Sequence, residues 1–148
     1  MSQILWDKGD ADVDARIMAF CAGEDVLLDR ALLLHDLTAT QAHVEGLARI
    51  DVLTDAERDE LLEHLEAMAR AVRAGEFVLD ERFEDGHSAI EAWLTERAGP
   101  IGQKVHTGRS RNDQVLVATR LYVREVLRAA RALCLEAARV ALERAEAE

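Results

Sequence analysis

Residues 99–112 differ in composition from the rest of the chain. They contain no Asp or Glu, although the whole chain has 29 acidic residues against 18 Lys and Arg and a formal net charge of −11. Cations, hydroxyls, an amide and glycines follow one another here: Gly102, Lys104, His106, Thr107, Gly108, Arg109, Ser110, Arg111 and Asn112. Such donors, placed before the free amides and the positive end of a helix, can hold a small carboxylate or phosphate.

A second interpretation of the same segment is purely structural. Its arginines can pair with acids on other helices, as many surface arginines do. His106 alone is no evidence of catalysis, and His35, His43 and His64 lie on predicted helices. The histidines and acids show no metal-ligand spacing, and there is no P-loop or dinucleotide fingerprint, so no metal and no cofactor are predicted.

The composition predicts an all-α fold. Hydrophobic residues make up 49% of the chain, but aromatic residues only 4%, so Ala, Leu and Val provide the apolar mass. There is one proline, Pro100, and only eight glycines, so few turns are expected. Helices are predicted over about 11–21, 25–49 and 85–97, with another that starts at a Thr54–Glu57 capping box and stops at Gly75.

The segment 113–148 contains neither Gly nor Pro and predicts one helix of about 50 Å. Its broad apolar surface needs long partner helices, so we expect a truncated chain whose native setting is an oligomeric bundle. A complete small protein with a solvated terminal helix is the alternative. The predicted organisation is a helical domain, 1–112, with a substrate-binding loop at 99–112, followed by the start of a central-bundle helix at 113–148.

Charge and cysteine content limit the possible partners and location. A diffuse acidic surface argues against binding to nucleic acid or to an anionic membrane. Cys21 and Cys134 lie far apart in no CxxC pattern and are expected to be reduced. No apolar signal region and no membrane-spanning run is visible, which predicts a cytoplasmic protein.

One nine-residue string closely resembles a family signature. HTGRSRNDQ at 106–114 resembles the signature of argininosuccinate lyases and the related lens delta-crystallins. EDGHSAIE at 84–91, the opening Leu5-Trp6 and the stretch 29–43 also resemble that family. The resemblance therefore covers essentially the whole chain.

The resemblance implies a fold and a reaction. The family belongs to the fumarase and aspartase superfamily, whose members are mostly helical homotetramers with active sites shared between three subunits. The implied reaction is a cofactor-free β-elimination that splits argininosuccinate into arginine and fumarate, the last step of arginine biosynthesis. A base removes a Cβ proton, the carbanion is held as an aci-carboxylate, and the guanidinium nitrogen leaves.

The resemblance also implies site residues. Ser110, Arg111 and Asn112 correspond to a motif that lies at the substrate, and Asn112 is the firmest choice. Thr107 and His87 are weaker candidates that shape the site, and for His87 a capping or packing role on its helix is the alternative. The family's catalytic histidine and mobile-loop serine lie beyond residue 148, so no catalytic residue is assigned here and the 148-residue piece is expected to be inactive alone.

Two departures from the family pattern concern the N-terminal region. Asp7-Lys8-Gly9-Asp10 replaces the usual Gly-Gly-Arg-Phe. The loop before Asp29 lacks the serine that contacts substrate in the family, and Asp25 is the nearest position. Two alternative functions remain: a non-enzymatic helical assembly module of the crystallin type, and another lyase of the superfamily, such as adenylosuccinate lyase or fumarase.

Overall fold

A computed structural model describes residues 20 and 24–147 of the chain. The described residues contain helices and turns but no strand, which confirms the all-α fold. The elements are α1 (Asp25–Arg49), α2 (Asp55–Ala74), α3 (Gly86–Ala98), α4 (Pro100–Gln103), a 3₁₀ turn (Lys104–His106) and α5 (Arg111–Ala147). The helix predicted over 11–21 and Cys21 lie outside the described residues.

The ends of α2 are those expected from its sequence. The Thr54 hydroxyl accepts from the Glu57 amide at 3.2 Å, and the Glu57 carboxylate accepts from the Thr54 amide at 2.9 Å. These two bonds form the predicted capping box, and Gly75, with a φ of 73°, ends the helix as predicted. In α3 the Asp85 carboxylate caps the Ser88 amide at 2.7 Å.

The core lies where α1 packs against α2 and α3. Leucine, valine and methionine side chains fill it because each of these helices has apolar residues at intervals of three and four. The fully buried members include Leu37, Val44, Leu61, Leu65, Met68, Ile90 and Leu94. Val105, from the 3₁₀ turn, is also fully buried and attaches residues 99–112 to this core.

Residues 99–112 are more helical than the loop predicted for them. Gly99 ends α3 with a φ of 59°, and Pro100 starts α4, since its fixed φ suits the first turn of a helix. A Cβ on Gly102 would lie 2.5 Å from the Leu94 carbonyl carbon, so a glycine is needed where α4 approaches α3. Only four residues, 107–110, separate the 3₁₀ turn from α5.

Helix α5 begins two residues before the predicted start, so Arg111 and Asn112 lie in its first turn. It has 37 residues, about 55 Å at 1.5 Å per residue. Gln114 and Ala118 are buried against the rest of the molecule, whereas every residue from Tyr122 to Ala147 is exposed. None of the helices in the described part of the chain is both long enough and apolar enough to cross a membrane.

Candidate functional site

Ser110 forms the N-terminal cap of α5. Its hydroxyl and amide donate to the Asp113 carboxylate at 2.9 and 2.8 Å, and its hydroxyl lies 3.3 Å from the Asp113 amide. This Ser-x-x-Asp arrangement fixes where the helix starts and leaves the Ser110 side chain at the surface. The bonds from Ser110 lower the pKa of Asp113, so this carboxyl stays charged at the positive end of the helix.

Arg111 lies at the rim of the first turn and pairs with the N-terminal end of α3. Its guanidinium reaches both Glu84 oxygens at 3.1 and 3.2 Å, and Asp85 Oδ2 at 3.3 Å. A longer contact of 3.5 Å joins it to Ser88 Oγ. Arg111 thus pairs with acids of another helix, as the structural interpretation of this segment expects. Its side chain is still 45% exposed to solvent.

Asn112 and Thr107 are both exposed. Among the described residues no hydrogen bond to the Asn112 carboxamide is found, so its donor and acceptor point to solvent. The Thr107 carbonyl accepts from His43 Nε2 at 3.0 Å, which ties the loop to α1. Burial, then the charge of Arg109, lowers the pKa of His43, so the ring is neutral in this bond.

His87 is buried rather than exposed. Its Nδ1 lies 2.5 Å from Asp36 Oδ2, and the two side chains are 8% and 3% exposed. Burial alone would lower the pKa of His87, but the contact with Asp36 and its charge, helped by Asp85 and Asp29, outweigh burial and raise it. The pair lines a narrow cleft with Asp29, Leu32, Leu33, Gly86, Val115 and Ala118.

The other two cations of the segment pair with groups on α2 and α1. Lys104 Nζ lies 2.5 Å from Glu57 Oε1, at the start of α2. Arg109 is half-buried and donates to Thr40 Oγ1 at 3.0 Å. Of the three cations in residues 99–112, Arg109 is therefore the one turned inward, whereas the side chains of Lys104 and Arg111 are 42% and 45% exposed.

Arg109 also joins a row of polar groups behind α5. With its carboxamide oxygen turned toward Arg109, Gln114 accepts from Nε at 3.0 Å, from Nη2 at 2.8 Å and from His106 Nδ1 at 2.7 Å. On the other edge of the ring, His106 Nε2 lies 3.1 Å from Glu91 Oε2, which is buried without an aligned hydrogen bond.

His106 carries no charge in its contact with Glu91. Burial, followed by the charges of Arg109 and His87, lowers the pKa of His106 to about 4. Burial also raises the pKa of Glu91, although Arg111 opposes it. Both shifts favour the uncharged forms: the His106 imidazole is neutral, and the Glu91 carboxyl is harder to ionise than an exposed one.

The structure brings together most of the residues that the sequence singled out. Ser110, Arg111 and Asn112 form one exposed turn, and Arg111 reaches the α3 end that contains His87. Thr107 contacts His43 through its backbone instead. Asp25 begins α1, but its side chain lies outside the described part of the chain.

Sequence reasoning missed the polar residues that support this turn. Four polar residues recur at intervals of seven, four and three along α1, which places them on one face of the helix: Asp29, Asp36, Thr40 and His43. In the structure these four side chains meet Gly86, His87, Arg109 and Thr107 respectively. The regular spacing of these polar residues along α1 was the feature of the sequence from which they could have been predicted.

No group of three metal-binding side chains is found in the part of the chain that the structure describes.

Comparison with known proteins gives matches along the whole chain. Residues 10–148 match a protein family described as lyase. An argininosuccinate lyase of Stenotrophomonas maltophilia (strain R551-3) is 55% identical over 148 residues, which is 100% of this chain and 34% of that protein. Argininosuccinate lyases of Xanthomonas oryzae pv. oryzae (strain PXO99A) and Xanthomonas campestris pv. campestris (strain B100) are 54% and 53% identical over the same shares. The chain spans about a third of the length of these curated relatives.

Proposed function

The chain belongs to this lyase family, and we propose that it is the N-terminal part of an argininosuccinate lyase. The observation that supports this most is the 55% identity, across all 148 residues, to a protein of that name. The reaction is the β-elimination of argininosuccinate to arginine and fumarate, the last step of arginine biosynthesis. The protein works in the cytoplasm and needs no cofactor.

The first turn of α5 is suited to the charge that develops in this reaction. Removal of the Cβ proton places negative charge on a succinyl carboxylate, which becomes an aci-carboxylate. The Arg111 guanidinium, held by Glu84 and Asp85, and the exposed Asn112 carboxamide are donors at the positive end of a 37-residue helix, and the exposed Ser110 hydroxyl becomes a third if a ligand replaces Asp113 as its acceptor. Donors that are already oriented stabilise such a transition state more than the substrate, because the charge grows along the reaction.

The ion pairs of Arg111 support a binding role. Glu84 and Asp85 hold the guanidinium at two edges, so it loses little freedom when a ligand arrives. His87 and Thr107 shape the site without touching the substrate. Asp25, at the start of α1, is the candidate nearest to the position of the missing serine contact in the N-terminal loop. The general acid and base belong to the remainder of the protein.

The whole protein is proposed to be a homotetramer with shared active sites. The exposed length of α5 supports this, because Tyr122, Val126, Leu133 and Val140 recur at intervals of four and seven and are 38–71% exposed. A stripe of this kind normally packs against other helices. Residues 1–112 form a helical domain with its substrate-binding residues at 99–112, and 113–148 begin the central bundle.

The test is fumarate release by the full-length protein from three substrates in parallel: argininosuccinate, adenylosuccinate and malate. We expect turnover of argininosuccinate only. Preference for either of the other two substrates would assign a different lyase activity. A folded tetramer with no turnover of any of the three would favour the crystallin-like structural role.

A further inference from the structure

A row of polar side chains in contact with one another lies behind the first turn of α5, on its protein side. It runs from Glu91 in α3 through His106 in the 3₁₀ turn to Gln114 in α5, and then through Arg109 to Thr40 in α1. Thr40 is fully buried and Gln114 is 4% exposed. The mechanism proposed above uses none of these groups, yet together they connect the turn that bears Arg111 and Asn112 to three other elements.

We propose that Glu91 is a positioning residue, which acts through His106 and Gln114 to hold Arg111 and Asn112 where they meet the substrate. This inference rests on the function proposed above. Gln114 follows Asn112 by two residues in the same helix, so the hydrogen bonds of its buried carboxamide hold the first turn of α5 against the protein.

The donors and acceptors in the row fix the position of each proton. The Gln114 oxygen faces Arg109 and His106 Nδ1, so Nδ1 must donate to it. A neutral imidazole has one donor and one acceptor, which leaves Nε2 as an acceptor toward Glu91 Oε2. Glu91 can supply the missing proton only as a carboxylic acid. Oε2 lies 3.1 Å from Nε2 without an aligned hydrogen bond, so the acid must turn its proton toward Nε2 to form this bond, and burial favours the same uncharged form.

The surrounding charges are compatible with this assignment. Arg109, His87, Asp36 and Asp85 act on His106, and Arg111 acts on Glu91. The cations oppose a protonated His106, and its pKa is lowered to about 4. Arg111 opposes the raised pKa of Glu91 but does not overcome burial.

Loss of the Glu91 proton would disturb the whole row. A Glu91 carboxylate would draw the ring proton to Nε2 and leave the Nδ1 lone pair facing the Gln114 oxygen. Gln114 would then have to turn its NH₂ group toward His106 and Arg109, and the Arg109 donors would lose their acceptor. The hydrogen bonds that join Gln114 to Arg109 and His106 would then be lost or weakened, and the first turn of α5, which bears Arg111 and Asn112, would be held less firmly against the 3₁₀ turn and α1.

The test compares Glu91→Gln with Glu91→Met in the full-length enzyme. The Gln amide donates to Nε2 as a carboxylic acid does, whereas Met has similar length and no donor. We expect Glu91→Gln to keep kcat/KM within about threefold, and Glu91→Met to lose about 100-fold with a raised KM, as for a misplaced binding group. Glu96→Met is the matched control, because Glu96 lies on the same helix with its side chain 75% exposed.

Turnover of argininosuccinate by the wild type tests the proposed function, and the variant ratios test the role of Glu91 separately. A loss of more than tenfold in Glu91→Gln would overturn the proposal, because it would show that the Glu91 charge is needed. The proposal would also be overturned if Glu91→Met kept the wild-type KM and its loss of kcat/KM matched the fraction of the enzyme that is unfolded. If Glu91→Met does not assemble, Gln114→Met, which removes the acceptor at the other end, must raise KM similarly.

Discussion

Arg109 and Arg111 are two residues apart and face opposite ways. Arg109 points inward to Thr40 and Gln114, and Arg111 points outward to Glu84 and Asp85. The sequence predicts that this segment is rich in donors. It does not predict which arginine is internal, because that choice depends on buried acceptors from α1 and α5 that meet only in the folded chain.

The buried His87–Asp36 pair gives a pH dependence with a definite sign. The pKa of His87 is raised above its usual 6.5 in the folded state, so folding takes up a proton between 6.5 and the raised value. The stabilisation is complete below pH 6.5 and is lost as pH rises through the folded pKa. The pKa of His106 is instead lowered to about 4 in the folded state. Its contribution to stability therefore decreases as pH falls from 6.5 to about 4.

We therefore expect the wild type to exceed His87→Gln in melting temperature by more at pH 6 than at alkaline pH. The difference between the two full-length proteins isolates His87, because His106 titrates in both. Asp36→Asn, which removes the partner's charge, should reduce the same pH dependence. An advantage that is constant across the pH range would contradict the assigned ion pair.

The helices themselves were largely predictable from local sequence. Their apolar spacing, the Thr54 capping box and the Gly75 stop depend on neighbouring residues, and the structure confirms helices at 25–49 and 55–74. The short helix α4 was not predicted. Its existence depends on a close approach between two backbones, which a pattern of side chains does not show.

Gly102 makes that approach possible, and Gly102→Ala should destabilise the protein. The new Cβ would lie 2.5 Å from Leu94 C and 2.6 Å from Thr95 N, both backbone atoms that cannot move aside cheaply. We expect a loss of about 1–3 kcal/mol in the free energy of unfolding. Gly46→Ala is the control, since nothing lies within 4 Å of its added Cβ, and it should gain about 0.5–1 kcal/mol. Equal melting temperatures for the two variants would show that α3 and α4 do not approach as described.

For the whole molecule, the exposed side of α5 predicts how the isolated 148-residue chain behaves. Tyr122, Val126, Leu133 and Val140 share one face and are all exposed, so the chain should self-associate at high concentration. Val126→Glu should shift light scattering toward the monomer. Ala132→Glu adds the same charge elsewhere on the helix and should have less effect. A wild-type chain that stays monomeric at high concentration would contradict the prediction.

The most direct test of the central claim is kcat/KM for argininosuccinate, measured on full-length wild type, Asn112→Ala and Gln41→Ala. Asn112 is exposed in the first turn of α5, whereas Gln41 is a half-exposed amide on α1. We expect Asn112→Ala to lose about 100-fold or more while its helical content and oligomeric state persist, and Gln41→Ala to match the wild type. An Asn112→Ala enzyme with wild-type kcat/KM would show that the substrate does not bind at the first turn of α5.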